Sequence, residues 1–166
     1  MAQDDGGDKK MTKFEEFSSK TGSIIKFVDY SLPKLPLNFG NLETGIRVIE
    51  GNTNAYFYRM EKASTNSSAA RIAMIEYSDL VEINKALEKL QADVKTDITR
   101  DCDYLENKFK TVDGFEVGYY VSKGAANWFL KLERYSSSTV FVKDSNAIVN
   151  AFKEAQNKIE EKKNGN

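Results

Sequence analysis

The sequence predicts an α+β fold built from two internal repeats, each of about four antiparallel strands followed by one amphipathic helix. Three observations predict it. Residues 56–62 read Tyr-Phe-Tyr-Arg-Met-Glu-Lys and residues 128–134 read Trp-Phe-Leu-Lys-Leu-Glu-Arg, one order of residue types written twice. Each copy is preceded by a β-rich run and a Gly-containing turn, and followed by a Ser-rich loop and a second β-rich run. Each half then closes on a stretch whose apolar residues recur every three or four positions.

Taken in order, residues 1–11 are polar, rich in Asp and Gly, and read as a disordered tail. Ala2-Gln3-Asp4-Asp5 behind Met1 has the look of a signal-peptide cleavage stub, so export to a periplasm or the exterior is expected, with a cytoplasmic protein as the alternative. Thr12-Lys13-Phe14-Glu15 can cap a short helix ending by Gly22. Residues 12–163 read as a single domain, with repeats at about 23–95 and 103–163.

In the first repeat a strand is expected over Ser23–Asp29, then a long connection, Tyr30–Thr44, holding both prolines, Pro33 and Pro36. Strands follow at Ile46–Ile49, 56–62 and Arg71–Tyr77. A helix then starts at Asp79, with Glu82 at capping-box spacing, and presents Leu80, Ile83, Leu87, Leu90 and Val94 on one face. In the second repeat Asp113-Gly114 predicts a type I′ hairpin joining Tyr104–Thr111 to Phe115–Val121. Strands at 128–134 and Thr139–Lys143 lead to a helix from Asp144 or Ser145, with Ile148, Ala151, Phe152, Ala155 and Ile159 in register. Each helix is expected to cover one face of its own sheet, with a pseudo-twofold relating the halves. A repeat of about 70 residues buries too little surface to stand alone, so one cooperative unit is expected. The element order is similar to that of TATA-box-binding-like saddles, although no motif carries the likeness further. A pleckstrin-homology-like barrel is disfavoured by the helix at 79–94, since its only helix ends the chain.

Composition excludes several functions. Lys plus Arg number 24 against 25 Asp plus Glu, a net charge of -1 that provides no field to hold nucleic acid. No apolar run is long enough for a membrane span. The single cysteine, Cys102, rules out an internal disulfide, and flanking Asp101 and Asp103 oppose a reactive thiolate. Zero histidines remove Ser-His-Asp and Cys-His catalysis and the commonest metal ligand. Ser31-Leu32-Pro33-Lys34 spells S-x-x-K, but Pro33 opposes the helical turn that the motif needs. Gly40–Gly45 has phosphate-loop spacing and lacks the following Lys-Ser/Thr. Asp101-Cys102-Asp103 opens like a calcium loop and lacks its glycine and closing Glu. No cofactor and no metal are expected. Asn66-Ser67-Ser68 is a formal glycosylation sequon.

What remains is the outward face of the strands. Alternation puts Tyr56, Tyr58, Met60 and Trp128, Leu130, Leu132 inward. It puts Phe57, Arg59, Glu61 and Phe129, Lys131, Glu133, with Tyr120, on a wet face. Aromatics beside paired charges suit a protein, peptide or glycan partner, and segment 30–44 offers Leu32, Leu35, Leu37 and Phe39 beside them. The leading expectation is therefore a non-catalytic, exported binding module. The alternatives are a carboxylate enzyme of glycoside-hydrolase type using Glu61 and Glu133, and a structural or assembly subunit.

Overall fold

The computed structural model describes residues 10–66, 69–135 and 137–165. The predicted tail, apart from Lys10 and Met11, and the two serines of the sequon lie outside them. The element order is α1 (Lys13–Ser18), β1 (Lys26–Pro36), β2 (Asn41–Glu50), β3 (Ala55–Lys62), β4 (Arg71–Glu76), α2 (Tyr77–Asp97), β5 (Leu105–Lys110), β6 (Glu116–Ser122), β7 (Ala125–Lys131), β8 (Thr139–Val142) and α3 (Ser145–Lys163). Two separate four-stranded antiparallel sheets result, ordered β1-β2-β3-β4 and β5-β6-β7-β8, each followed by a helix. The expected α+β fold with two repeated halves is the observed one.

The ladders repeat as the sequence does. Phe57 faces Arg47 on one side and Glu76 on the other; its counterpart Phe129 faces Gly118 and Phe141. Tyr58, Met60, Trp128 and Leu130 point into a core shared by both sheets and both long helices. Phe152 of α3 joins the halves there. It is fully buried, edge-on to Tyr58 of the first half at 5.2 Å and tilted against Phe115 of the second at 6.0 Å.

Four local expectations are corrected. First, the connection 30–44 is strand for most of its length: β1 runs to Pro36, a tight turn closes at Gly40 with Leu37 N–H on the Gly40 carbonyl, and β2 begins at Asn41. The prolines fit because β1 is an edge strand and Pro33 sits where the register shifts between Leu32 and Leu35. Thr44 Oγ1 donates to the Pro33 carbonyl at 2.8 Å, across that irregularity. Leu35 and Leu37 pack down into the core, while Phe39 stands exposed at the tip.

Second, α2 begins at Tyr77 and is capped by Glu76, whose carboxylate accepts from the Ser78 N–H at 2.8 Å. Strand β4 runs into the helix without a loop, so no spacer marks the start. Third, the Asp113-Gly114 hairpin is not type I′. The Gly114 N–H donates to the Thr111 carbonyl and the Thr111 N–H to the Phe115 carbonyl, with Gly114 alone at positive φ. The turn that places both central residues at positive φ is Lys123-Gly124, between β6 and β7. Fourth, α3 does not keep to its own half: it packs chiefly across β1, β2 and β3, while α2 touches β3 and β4 of one sheet and β5 and β6 of the other.

The capping box at Thr12 forms as expected, with Glu15 N–H on the Thr12 hydroxyl at 3.1 Å, and α1 ends at Ser18. This short helix lies on the outer face of the first sheet. Its Phe14 and Phe17 sit edge-on to Phe57 at 5.3 and 6.1 Å and close a second apolar cluster of Ile49, Ala55 and Phe57. Before β5 the chain makes only turns and bends over residues 98–104, so the second half has no counterpart of α1. No helix among the described residues is long and apolar enough to cross a membrane.

Candidate functional site

The seven residues expected on one wet face fall into separate settings. Phe57 is fully buried under α1 and is not offered to a partner in this conformation. Arg59 and Glu61 follow it along β3 and pair with each other at 3.4 Å. Tyr120, Phe129 and Lys131 lie on the outer face of the second sheet. There Phe129 is itself buried, its ring lying opposite the bare Gly118, and Tyr120 sits edge-on to Phe141 at 6.2 Å. Lys131 reaches Glu116 at 3.9 Å, and Lys108 bridges Glu116 at 2.9 Å and Glu106 of its own strand at 3.1 Å, so the ionic groups of this face are matched within and across strands.

Glu133 links the two halves. The Ile72 N–H, on the free edge of β4, donates to Glu133 Oε1 at 3.0 Å. Ile72 is the ladder partner of Glu61, so Glu133 approaches the residue opposite the other candidate carboxylate. An edge strand leaves N–H groups unpaired, and an acceptor from another segment satisfies one of them and blocks further pairing. Glu133 does so here.

A concavity among the described residues lies beside that contact. It is a cleft of about 970 Å³ with α1 on one side, the outer face of the first sheet as floor, and the β5–β6 turn and the loop after β7 as the far wall. Volumes of this order are those of small-molecule sites. Ile72, Met74, Phe14, Phe115 and Leu132 give it an apolar lining, and Arg47, Arg59, Asp113, Glu133 and Arg134 reach it from four segments.

Most of the cleft's charge is fixed by local partners. Lys13 ties α1 to both halves: its Nζ meets Asp79 of α2 at 2.9 Å and Glu76 at 3.8 Å, and its backbone N–H donates to Asp113 at 3.1 Å. Those carboxylates raise the Lys13 pKa against the opposing effect of burial. Arg47 forks onto Asp29, Nε to Oδ1 at 2.8 Å and Nη2 to Oδ2 at 2.9 Å, and lies 5.3 Å from the Phe27 ring centre. The hydrogen bonds from Arg47 hold the Asp29 carboxyl below its ordinary value. Burial pushes the Asp113 carboxyl the other way, above its ordinary value.

Of these cleft residues only Arg59 and Glu133 are expected at a site from the sequence, where Lys13 and Asp113 read as cap and turn positions. Lys13, Arg47, Asp113 and Arg134 come from four distant segments, and the one local signal was Phe14 and Phe17 on a capped helix too short to bury them alone. Among the described residues, no group of three or more Cys, Asp or Glu is placed to hold a metal ion. Comparison with family models, with curated proteins and with solved structures finds no match.

Proposed function

We propose that the chain is a non-catalytic binding module whose ligand occupies the cleft between α1, the outer face of the first sheet and the turns of the second half. The observation that carries this reading is the build of the cleft, an apolar floor with charged groups converging from both repeats, held in place by Lys13 and Glu133. Sites that fix a small ligand combine these two elements. The acid–base alternative has less support, since Glu61 lies outside the cleft lining and is paired with Arg59.

A thermal-shift panel of saccharides, peptides, lipids and small organic acids tests the module. A compound at about 100 times its Kd stabilises by roughly 2.7 kcal/mol, or about 5–10 °C for a chain of this length. Met74→Trp fills the floor of the cleft and is expected to abolish the shift. A stabilising compound whose effect survives in Met74→Trp binds elsewhere and overturns the assignment, as does a panel in which nothing binds.

A further inference from the structure

Resting on the cleft reading, we infer that its ligand is anionic: an apolar body carrying a carboxylate or phosphate head, received by Arg59 and Arg134. Most of the charged side chains that line the cleft are already answered, and the exposed Lys10 and Glu16 at its rim are opposite in sign. Arg47 is occupied by Asp29 through both arms of its fork. Lys13 is occupied by Asp79 and Glu76, Asp113 by the Lys13 N–H, and Glu133 by the Ile72 N–H. Glu15 is turned back onto its own helix, accepting from the Thr12 N–H at 3.3 Å.

Two guanidinium groups are left with donors to spare. Arg59 meets Glu61 through Nη2 alone, at 3.4 Å, and its Nε is buried with no acceptor. A buried donor without a partner costs free energy that an arriving acceptor, or the small movement one induces, recovers. Arg71 has the same orphaned Nε but does not line the cleft. Arg134 forms no ion pair among the described residues. Its stem lies over the turn at Gly114, where a Cβ would come within 2.6 Å of Arg134 Cβ, and its head sits 5.7 Å from the Tyr135 ring centre. The stem is therefore placed by packing, with Asp113 near enough to feel the guanidinium charge but outside ion-pair distance.

Arg59 rises from the floor and Arg134 from the far wall, with Ile72, Met74 and Leu132 among the apolar lining. Planar forks of five donors suit carboxylate and phosphate oxygens better than any neutral or cationic head. Desolvated by those apolar walls, the attraction is screened less than it would be on an open surface.

The test uses four probes with one body: hexanoate, hexyl phosphate, hexanol and hexylamine, titrated into the full chain by calorimetry and mapped by amide chemical shifts. Both anions are expected to bind about ten- to a hundredfold more tightly than hexanol, with shifts at Ile72, Met74 and the 132–135 loop. Arg59→Gln and, separately, Arg134→Gln are expected to remove most of that advantage and leave hexanol binding unchanged. Arg134 lies in a loop, so its variant keeps the test open should Arg59→Gln destabilise the sheet. Equal affinity for hexanol and the anions, preference for hexylamine, or anion binding indifferent to both variants overturns the anionic assignment while leaving the cleft as a site. If no probe and no member of the wider panel shifts cleft residues, the cleft reading itself fails.

Discussion

Phe152→Ala is the substitution that most directly asks whether the two halves share one stability. The ring is fully buried and touches Tyr58 of β3 and Phe115 beside β6. Truncating a buried Phe costs about 3–5 kcal/mol, the transfer loss plus the cavity left where the surroundings cannot collapse. Here collapse is opposed from two directions, because the rings on either side belong to different sheets. A cost near the middle of that range, about 4 kcal/mol, is a large share of the roughly 5–15 kcal/mol typical of a whole domain. With a urea dependence of about 2 kcal/mol per molar, the midpoint should fall by about 2 M. The assay needs one probe for the second half and one for the whole chain. Trp128, the only tryptophan, is 6% exposed on β7 and reports the second half by its fluorescence; far-UV circular dichroism reports both halves. Both transitions are expected to move together by the same amount. A variant whose fluorescence transition stays in place while the dichroism splits in two would refute a shared core.

Two other perturbations follow from the geometry. In Gly118→Ala the new Cβ would stand 2.2 Å from the Asn107 carbonyl oxygen and 2.6 Å from Lys108 Cα, so β5 itself must move. We expect a loss of about 1–3 kcal/mol in chemical denaturation, with amide exchange accelerated across β5 first; unchanged stability would show that the strand shifts freely. Asp113 carries a raised pKa through burial, so the folded chain holds that proton more tightly than the unfolded one, and stability falls as pH rises through the window above about 4. Asp113→Asn keeps an acceptor for the Lys13 N–H and removes the charge. It should match or exceed the parent near pH 7 and lose any advantage near pH 3 in a series of melting curves, and the opposite order would mean that the attraction of Lys13 outweighs burial.

The repeat was legible because its signals are local. Alternation along β3 and β7, and the three-and-four spacing of Leu80, Ile83 and Leu87, are written within a few residues of each other, and each fixes a face without knowledge of the partner. The errors arise where a distant segment decides. Pro33 and Pro36 argue against a central strand, and only the sheet order reveals that β1 is an edge where they are tolerated. Phe57 occupies an outward position by alternation, yet Phe14 and Phe17 from far upstream roof it over. Asp79 had the composition of a cap, but the chain entered the helix directly from β4, and Lys13 claimed the carboxylate instead. The cleft was least legible. Arg47, Arg59, Asp113 and Arg134 carry no shared spacing, and meet only because α1 and the β5–β6 turn are drawn together.

The placement of α3 bears on how the chain is made. Synthesis delivers the N-terminal half first, at roughly 5–20 residues each second. The strands of the first sheet are complete by Glu76, but the helix that lies across β1, β2 and β3 begins only at Ser145. Through most of translation that sheet therefore waits without the helix that lies across it and with Tyr58 lacking the Phe152 ring, and termination before α3 is expected to leave an exposed apolar surface rather than a small folded half. Within the first half, α2 lies chiefly against β3 and β4, so β1 and β2 take their helical cover from the last segment of the chain to be made.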